Sequence, residues 1–219
     1  MFILASFFKY FSGFAGLILA VNMLMFFLFL FKKGRVFKIY AIYLFVVLIG
    51  EIISKVMIYN GFENIVMSHY YFIFQFLLLS LFYLELINVN IQRKIIQISL
   101  LIIPVFLGIH YYLHPELIYK FNIIEVFITS FTLIIYATFH FYNMLSSDKK
   151  FYFINSGILV YLLGSTIIFL SGNVLIVKDN PLNHFLNVVH INITLYLFYL
   201  LMIFIEGYKT IKGTANNTI

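Results

Sequence analysis

Seven long apolar stretches constrain this chain more than any other feature of its sequence. Each is close to the roughly 20 mainly apolar residues that a membrane-spanning helix needs. The stretches are continuously apolar rather than alternating, so they favour helices over the strands of a membrane barrel. The predicted helices are Tyr10–Phe31, Val36–Tyr59, Val66–Leu86, Ile95–Leu113, Phe121–Tyr142, Phe151–Val177 and Leu182–Ile205.

The composition supports the same interpretation. Hydrophobic residues make up 63% of the 219 residues and charged residues only 10%, which is more apolar than a soluble domain can cover. The links between the stretches are short, so we predict one all-α domain over residues 1–219, a seven-helix transmembrane bundle. The many Phe, Ile, Lys and Asn residues are typical of AT-rich bacterial genomes, which predicts the bacterial inner (cytoplasmic) membrane as the location.

Basic residues are distributed unequally between the two sides of the predicted bundle. Ten of the 14 Lys and Arg residues fall on one side and three on the other, which predicts an external N-terminus and a cytoplasmic C-terminus. This bias accounts for the net charge of +6 without a nucleic-acid partner, and it predicts contact with membrane lipids. The ten residues are Lys32, Lys33, Arg35, Lys38, Arg93, Lys94, Lys149, Lys150, Lys209 and Lys212.

Two charged residues lie inside the second predicted helix. Glu51 and Lys55 are four residues apart with the acid first, which is the favourable order for an intrahelical pair. Lys55 lies near the outer end, where its long side chain can reach the headgroups, whereas Glu51 lies deeper. Because ionisable groups in a membrane helix usually face a cavity or a partner, Glu51 is the stronger functional candidate.

The fifth predicted helix has polar residues along one face. Their spacings of three and four residues place them within one narrow stripe. Such a stripe either bonds to neighbouring helices or forms the wall of a wet cavity, and the presence of a carboxylate favours a cavity wall. The residues of this stripe are Glu125, Thr129, Thr132, Tyr136 and His140.

The first half of the seventh predicted helix is also polar. At about 100° per residue, four of its side chains share one face, whereas His184 points about a third of a turn away and Asn192 lies nearly opposite. We therefore expect Asn192 to lie in a different contact between helices. The four that share a face are Asn183, Asn187, His190 and Thr194.

These polar residues belong to the outer layer of the predicted bundle, so they predict an outward-facing polar pocket. The alternative is an internal network of hydrogen bonds between helices that needs no ligand. The predicted lining residues are Glu51, Lys55, His69, Glu125, Thr129, Asn187, His190 and Thr194.

Motifs for catalysis and cofactors are absent from the sequence. His184 and His190 of the last predicted helix diverge around it and form no HxxxH or HExxH pair, so no metal is predicted; the alternative is a zinc site. The last predicted helix has no lysine, which argues against retinal, and no other cofactor is predicted. Without a serine-nucleophile elbow or a Gly-rich phosphate loop, the sequence favours a protein that is not an enzyme. The alternative zinc ligands are Glu51, His69, Glu125 and His190.

Three segments carry a resemblance to a family. HYYFIFQFLLLSLFYLE (His69–Glu85) is similar to the third helix of a group of small bacterial seven-helix integral membrane proteins, and the segments Phe151–Asn173 and Leu182–Phe204 are similar to their last two helices. Some of these proteins are encoded near sensor kinases, so the resemblance implies a receptor-like membrane module.

Three functions are consistent with the predicted pocket. The first is a sensor that binds a small or lipidic ligand and signals to a cytoplasmic partner through its basic loops and tail. The second is a membrane-embedded lipid hydrolase, with or without a metal, and the third is a transporter or proton-linked channel. Short loops and the lack of a catalytic motif favour the first, and the sequence leaves the oligomeric state open.

Overall fold

Helices make up nearly all of the structure, which is a computed structural model. It describes the backbone of residues 2–146, 149–174 and 181–216, and the side chains of residues 13–146, 149–170 and 190–213. Seven of the helices are long and apolar enough to cross a membrane, which confirms the predicted all-helical class and indicates an integral membrane protein. They are α1 (Phe2–Met25), α2 (Arg35–Tyr59), α3 (Ile65–Leu86), α4 (Asn90–Leu113), α5 (Ile123–Met144), α6 (Tyr152–Val174) and α7 (Pro181–Asn216).

Short helical turns and tight links join these helices. A π-helical turn, Phe26–Leu30, and a 3-10 turn, Phe31–Lys33, continue α1, and a second 3-10 turn, Pro115–Tyr119, follows α4. The link between α2 and α3 turns at Gly61, whose φ of 78° is in the left-handed region that favours glycine.

Three helices extend beyond the predicted apolar stretches. The first begins at Phe2 rather than Tyr10, the fourth begins at Asn90 rather than Ile95, and the seventh continues to Asn216 rather than ending at Ile205. Hydropathy marks only the apolar part of a helix, whereas the backbone hydrogen bonds continue into polar sequence wherever nothing breaks them.

Six of the seven helices form a closed ring. In the described part of the chain the order of contacts is α1, α2, α3, α5, α6 and α7, and α7 packs back against α1. The remaining helix, α4, lies outside the ring against α3 and α5. Its described buried hydrophobic residues are few, Ile96, Ile103 and Leu107, and its other apolar side chains face outward, as expected for a surface covered by lipid.

Polar contacts join the helix ends that carry the basic residues, which we call the basic end. Arg35 forms an ion pair with Glu85 at 3.3 Å, and the Lys33 ammonium donates to the backbone oxygen of Thr210 at 3.0 Å. The Glu206 carboxylate accepts a hydrogen bond from the backbone N–H of Phe153. These contacts hold the basic ends of α2, α3, α6 and α7 together.

Candidate ligand cavity

A cavity of about 490 Å³ opens in the half of the bundle that is farther from the basic end. Side chains of α1, α2, α3, α6 and α7 line it, and its volume lies within the range of pockets that bind small molecules. Eight of its lining residues are aromatic. The aromatic lining residues are Tyr70, Tyr71, Phe72, Phe74, Phe121, Tyr161, Phe169 and Tyr196.

Glu51 is the only charged residue among the described residues that line this cavity. Its carboxylate Oε1 lies 2.5 Å from the ammonium Nζ of Lys55, and the two side chains are 21% and 47% exposed. Gly16 of α1 makes room for this pair, because a Cβ atom there would lie 2.8 Å from Glu51 Oε1 and 3.0 Å from Lys55 Nζ. Glu51 therefore faces the cavity, whereas Lys55 stands behind it towards the exterior of the bundle.

Asn192 lines the same cavity, contrary to the prediction that it belongs to a different helix contact. Its side-chain Oδ1 is buried and has no hydrogen-bond partner among the described residues. Helical periodicity relates the residues of one helix to each other, but it does not show which face of α7 turns towards the cavity. A buried amide oxygen without a partner is costly, so Asn192 is a candidate to bind a ligand or a water molecule.

His190 and Thr194, the predicted lining residues of the same helix, are placed differently. Neither is among the residues that line the cavity. Thr194 is exposed and donates its hydroxyl hydrogen to the backbone oxygen of His190, one turn earlier in the same helix. The side chain of Asn187, which was predicted to accompany them, lies outside the described residues.

His69 and Glu125 come together in a separate cluster between α3, α4 and α5. The Glu125 carboxylate Oε2 lies 2.5 Å from His69 Nδ1 and accepts the Tyr111 hydroxyl hydrogen at 2.7 Å. Glu125 is fully buried and His69 is nearly so. The side-chain oxygen of Asn122 caps α5 by accepting from the backbone N–H groups of Ile124 and Glu125, which fixes the carboxylate in the first turn of the helix.

The rest of the predicted polar stripe on α5 packs against protein instead of lining the cavity. Thr129 is buried, and its hydroxyl donates to the backbone oxygen of Glu125. The His140 ring Nε2 bonds to the backbone oxygen of Lys150. The Thr129 hydroxyl is thus satisfied by its own backbone and the His140 ring by neighbouring chain, whereas the buried Tyr136 hydroxyl has no hydrogen-bond partner among the described residues.

The alternative zinc site is not assembled in the part of the chain that the structure describes. Glu51 lines the cavity, whereas His69 and Glu125 lie in their own cluster with Tyr111. Among the described residues, no three His, Asp or Glu side chains lie together as a metal would require. The four residues named for the hydrolase alternative therefore do not form one group among the described residues.

A chain of tyrosine hydroxyls connects the cavity with the core. Tyr71 and Tyr161 line the cavity, and their hydroxyls lie 3.3 Å apart. The Gln75 amide donates to Tyr71 at 2.8 Å and to Tyr43 at 3.4 Å, and the Tyr43 hydroxyl accepts from that of Tyr199 at 3.3 Å. The chain ends at Tyr40, whose hydroxyl lies 2.9 Å from that of Tyr199.

Sequence reasoning missed these tyrosines because it treated aromatic residues near helix ends as interfacial belts. The available signal was position: Tyr199 stands near the middle of α7 and Tyr43 more than two turns inside α2, where a tyrosine hydroxyl needs an internal partner.

Comparison with known proteins gave no relatives: no family model, curated protein sequence or solved structure matches this chain.

Proposed function

We propose that this protein is a receptor-like membrane protein that binds a small or lipidic amphipathic ligand in the cavity. The observation that carries this proposal is the cavity itself, a space of about 490 Å³ lined by aromatic residues, a carboxylate and a buried amide oxygen that has no partner among the described residues. Binding pockets typically combine such an apolar wall with a few polar groups that orient the ligand.

The proposal includes the orientation predicted from the basic residues. With the basic end in the cytoplasm, the N-terminus is external and the cavity faces outward. A bacterial inner membrane would then expose the cavity to the periplasmic side, where ligands from outside the cell arrive.

The hydroxyl chain supports a role in transmitting ligand binding. A ligand that moves Tyr71 or Tyr161 also perturbs contacts among α2, α3, α6 and α7, because the chain joins all four helices. The rings of Tyr161 and Tyr199 also stack, with centroids 5.5 Å apart and planes 8° apart. Such a movement could reach the basic end, where we propose that a cytoplasmic partner binds.

Proton-linked transport is the second candidate, and one observation favours it. The buried pair of His69 and Glu125 leaves His69 Nε2 and Glu125 Oε1 without partners among the described residues. Buried acid–base pairs of this kind occur in the proton relays of transporters. Uptake of protons by vesicles containing the protein would favour this candidate over the receptor.

The absence of tryptophan from the sequence provides a direct binding test. Phe121, at the cavity, is replaced by Trp, and the emission of the variant in lipid nanodiscs is followed while octanol, octanoate or octylammonium is added. Phe127→Trp is the matched control, because Phe127 is an exposed residue of α5 outside the cavity. We expect at least one amphiphile to change the emission of Phe121→Trp saturably and that of Phe127→Trp only by non-saturable partition. If all three give the same non-saturable response in both variants, the proposed function is wrong.

A further inference from the structure

We propose that the ligand of this cavity carries an ammonium group, an inference that rests on the proposed function and adds the chemical class of the ligand. The charge at the cavity wall is the first reason. Glu51 is the only charged side chain among the described lining residues, and the adjacent Lys55 is not part of the lining. A ligand inside the cavity therefore meets the carboxylate side of this ion pair, and the carboxylate attracts a cation and repels an anion once Lys55 moves away.

The aromatic wall is the second reason. Four tyrosines, Tyr70, Tyr71, Tyr161 and Tyr196, line the cavity together with four phenylalanines. Aromatic rings attract ammonium groups through the negative charge at their faces, and the attraction increases when the cation is desolvated. A carboxylate surrounded by aromatic rings is thus suited to an organic cation with an apolar body.

Lys55 shows that an ammonium group fits against this carboxylate. Its Nζ lies 2.5 Å from Glu51 Oε1, in a space that Gly16 leaves free by lacking a Cβ atom. The lysine side chain is 47% exposed, so it can move towards the headgroups when a ligand takes its place. The ligand ammonium then replaces Lys55 as the partner of Glu51.

Asn192 supplies a second acceptor. Its buried Oδ1 has no partner among the described residues, and an amide oxygen accepts a hydrogen bond from an ammonium N–H group. The two acceptors stand on α2 and α7, on the wall of one cavity. They favour a primary ammonium over a quaternary one, which has no hydrogen to donate.

The test uses the Phe121→Trp variant and three amphiphiles that share an eight-carbon chain and differ in charge. In phosphatidylglycerol nanodiscs, we expect octylammonium to bind with a Kd about tenfold or more below that of octanol, and octanoate to bind more weakly than both. The response of Phe127→Trp corrects for partition into the lipid. Saturable binding of octanol or octanoate as tight as that of octylammonium overturns the ammonium assignment but leaves the cavity a binding site. If no amphiphile binds saturably, the proposed function itself fails.

Two substitutions separate a specific role of Glu51 from general damage. Glu51→Gln should abolish the preference for octylammonium, whereas Glu85→Gln, which removes a carboxylate at the basic end, should preserve it. Lys55→Met removes the internal competitor and should lower the Kd of octylammonium about threefold or more. A preference that survives in Glu51→Gln contradicts the proposal. Should that variant not fold, an unchanged Kd in Lys55→Met contradicts it instead.

The ammonium could belong to a free amine or to a lipid headgroup, and a second nanodisc composition distinguishes these sources. Phosphatidylethanolamine carries a primary ammonium, whereas phosphatidylglycerol does not. If phosphatidylethanolamine shifts the emission of Phe121→Trp and removes the response to octylammonium, the ligand is the headgroup. If the response to octylammonium is retained, the ligand is a free amine.

Discussion

The buried pair of His69 and Glu125 should contribute far more to stability than the exposed pair of His114 and Glu116. The two pairs have the same residue types and lie in the same half of the bundle. In the buried pair, Nδ1 and Oε2 are 2.5 Å apart and the side chains are 9% and 0% exposed. In the exposed pair, the corresponding atoms are 3.5 Å apart and the side chains are 54% and 56% exposed. The comparison therefore sets a short, buried contact against a longer, exposed one.

The expected size follows from the number of hydrogen bonds that the Glu125 carboxylate accepts. It accepts one from His69 and one from Tyr111. Hydrogen bonds between membrane helices average roughly 0.6 kcal/mol, and those to charged groups in proteins reach about 1.5 kcal/mol or more, so the two together contribute about 1 to 3 kcal/mol. Replacing Glu125 by Leu should lower the free energy of unfolding by that amount.

A double-mutant cycle measures the pair itself. The free energy of unfolding in mixed micelles is compared for His69→Leu, Glu125→Leu and the double variant, and then for the same changes at His114 and Glu116. We expect a coupling energy of about 1 to 2 kcal/mol for the buried pair and less than about 0.5 kcal/mol for the exposed pair, which is screened by water. Equal coupling energies in the two pairs would refute the reasoning.

Three further substitutions test other contacts. In a thermal unfolding assay, Gly16→Ala should lower the free energy of unfolding by about 1 kcal/mol, because the added Cβ atom displaces Glu51. Gly13→Ala is the control and should change little, because a Cβ atom there meets nothing within 4 Å. Tyr199→Phe breaks the hydroxyl chain between the cavity and the core, and should reduce thermal stability by about 1 kcal/mol; an unchanged midpoint would show that the chain contributes nothing. The Asn155 side chain accepts the Tyr83 hydroxyl hydrogen and donates to the backbone oxygen of Ala137, and both contacts are buried. Asn155→Leu removes both hydrogen bonds and should reduce the free energy of unfolding by roughly 1 to 3 kcal/mol, so an unchanged stability would contradict them.

The helices could be predicted from the sequence because an apolar run of spanning length has few alternatives in a bilayer. Their arrangement could not, since hydropathy is the same for a helix in the ring and for one outside it. The fourth helix shows this: its apolar residues face outward, and only the structure reveals that α3 contacts α5 directly.

Only part of the candidate site could be predicted from the sequence. A carboxylate deep in a membrane helix has to face protein or a cavity, and Glu51 does. Helical periodicity shows which residues of one helix share a face, but not which neighbour that face meets. Glu125 therefore belongs to a cluster with His69, and Asn192 replaces the predicted His190 in the cavity wall.

The most direct test of an outward-facing ligand cavity uses single cysteines, because the sequence contains none. Three positions are replaced by cysteine, one in each variant. Ser54 lines the cavity, Asn60 lies in the exposed link on the same side, and Ser146 lies at the basic end. In spheroplasts, a membrane-impermeant maleimide should label the first two, and Ser146→Cys only after permeabilisation. Octylammonium should slow the labelling of Ser54→Cys and leave that of Asn60→Cys unchanged. Labelling of Ser146→Cys in intact spheroplasts, together with an unlabelled Ser54→Cys, would contradict the outward-facing cavity.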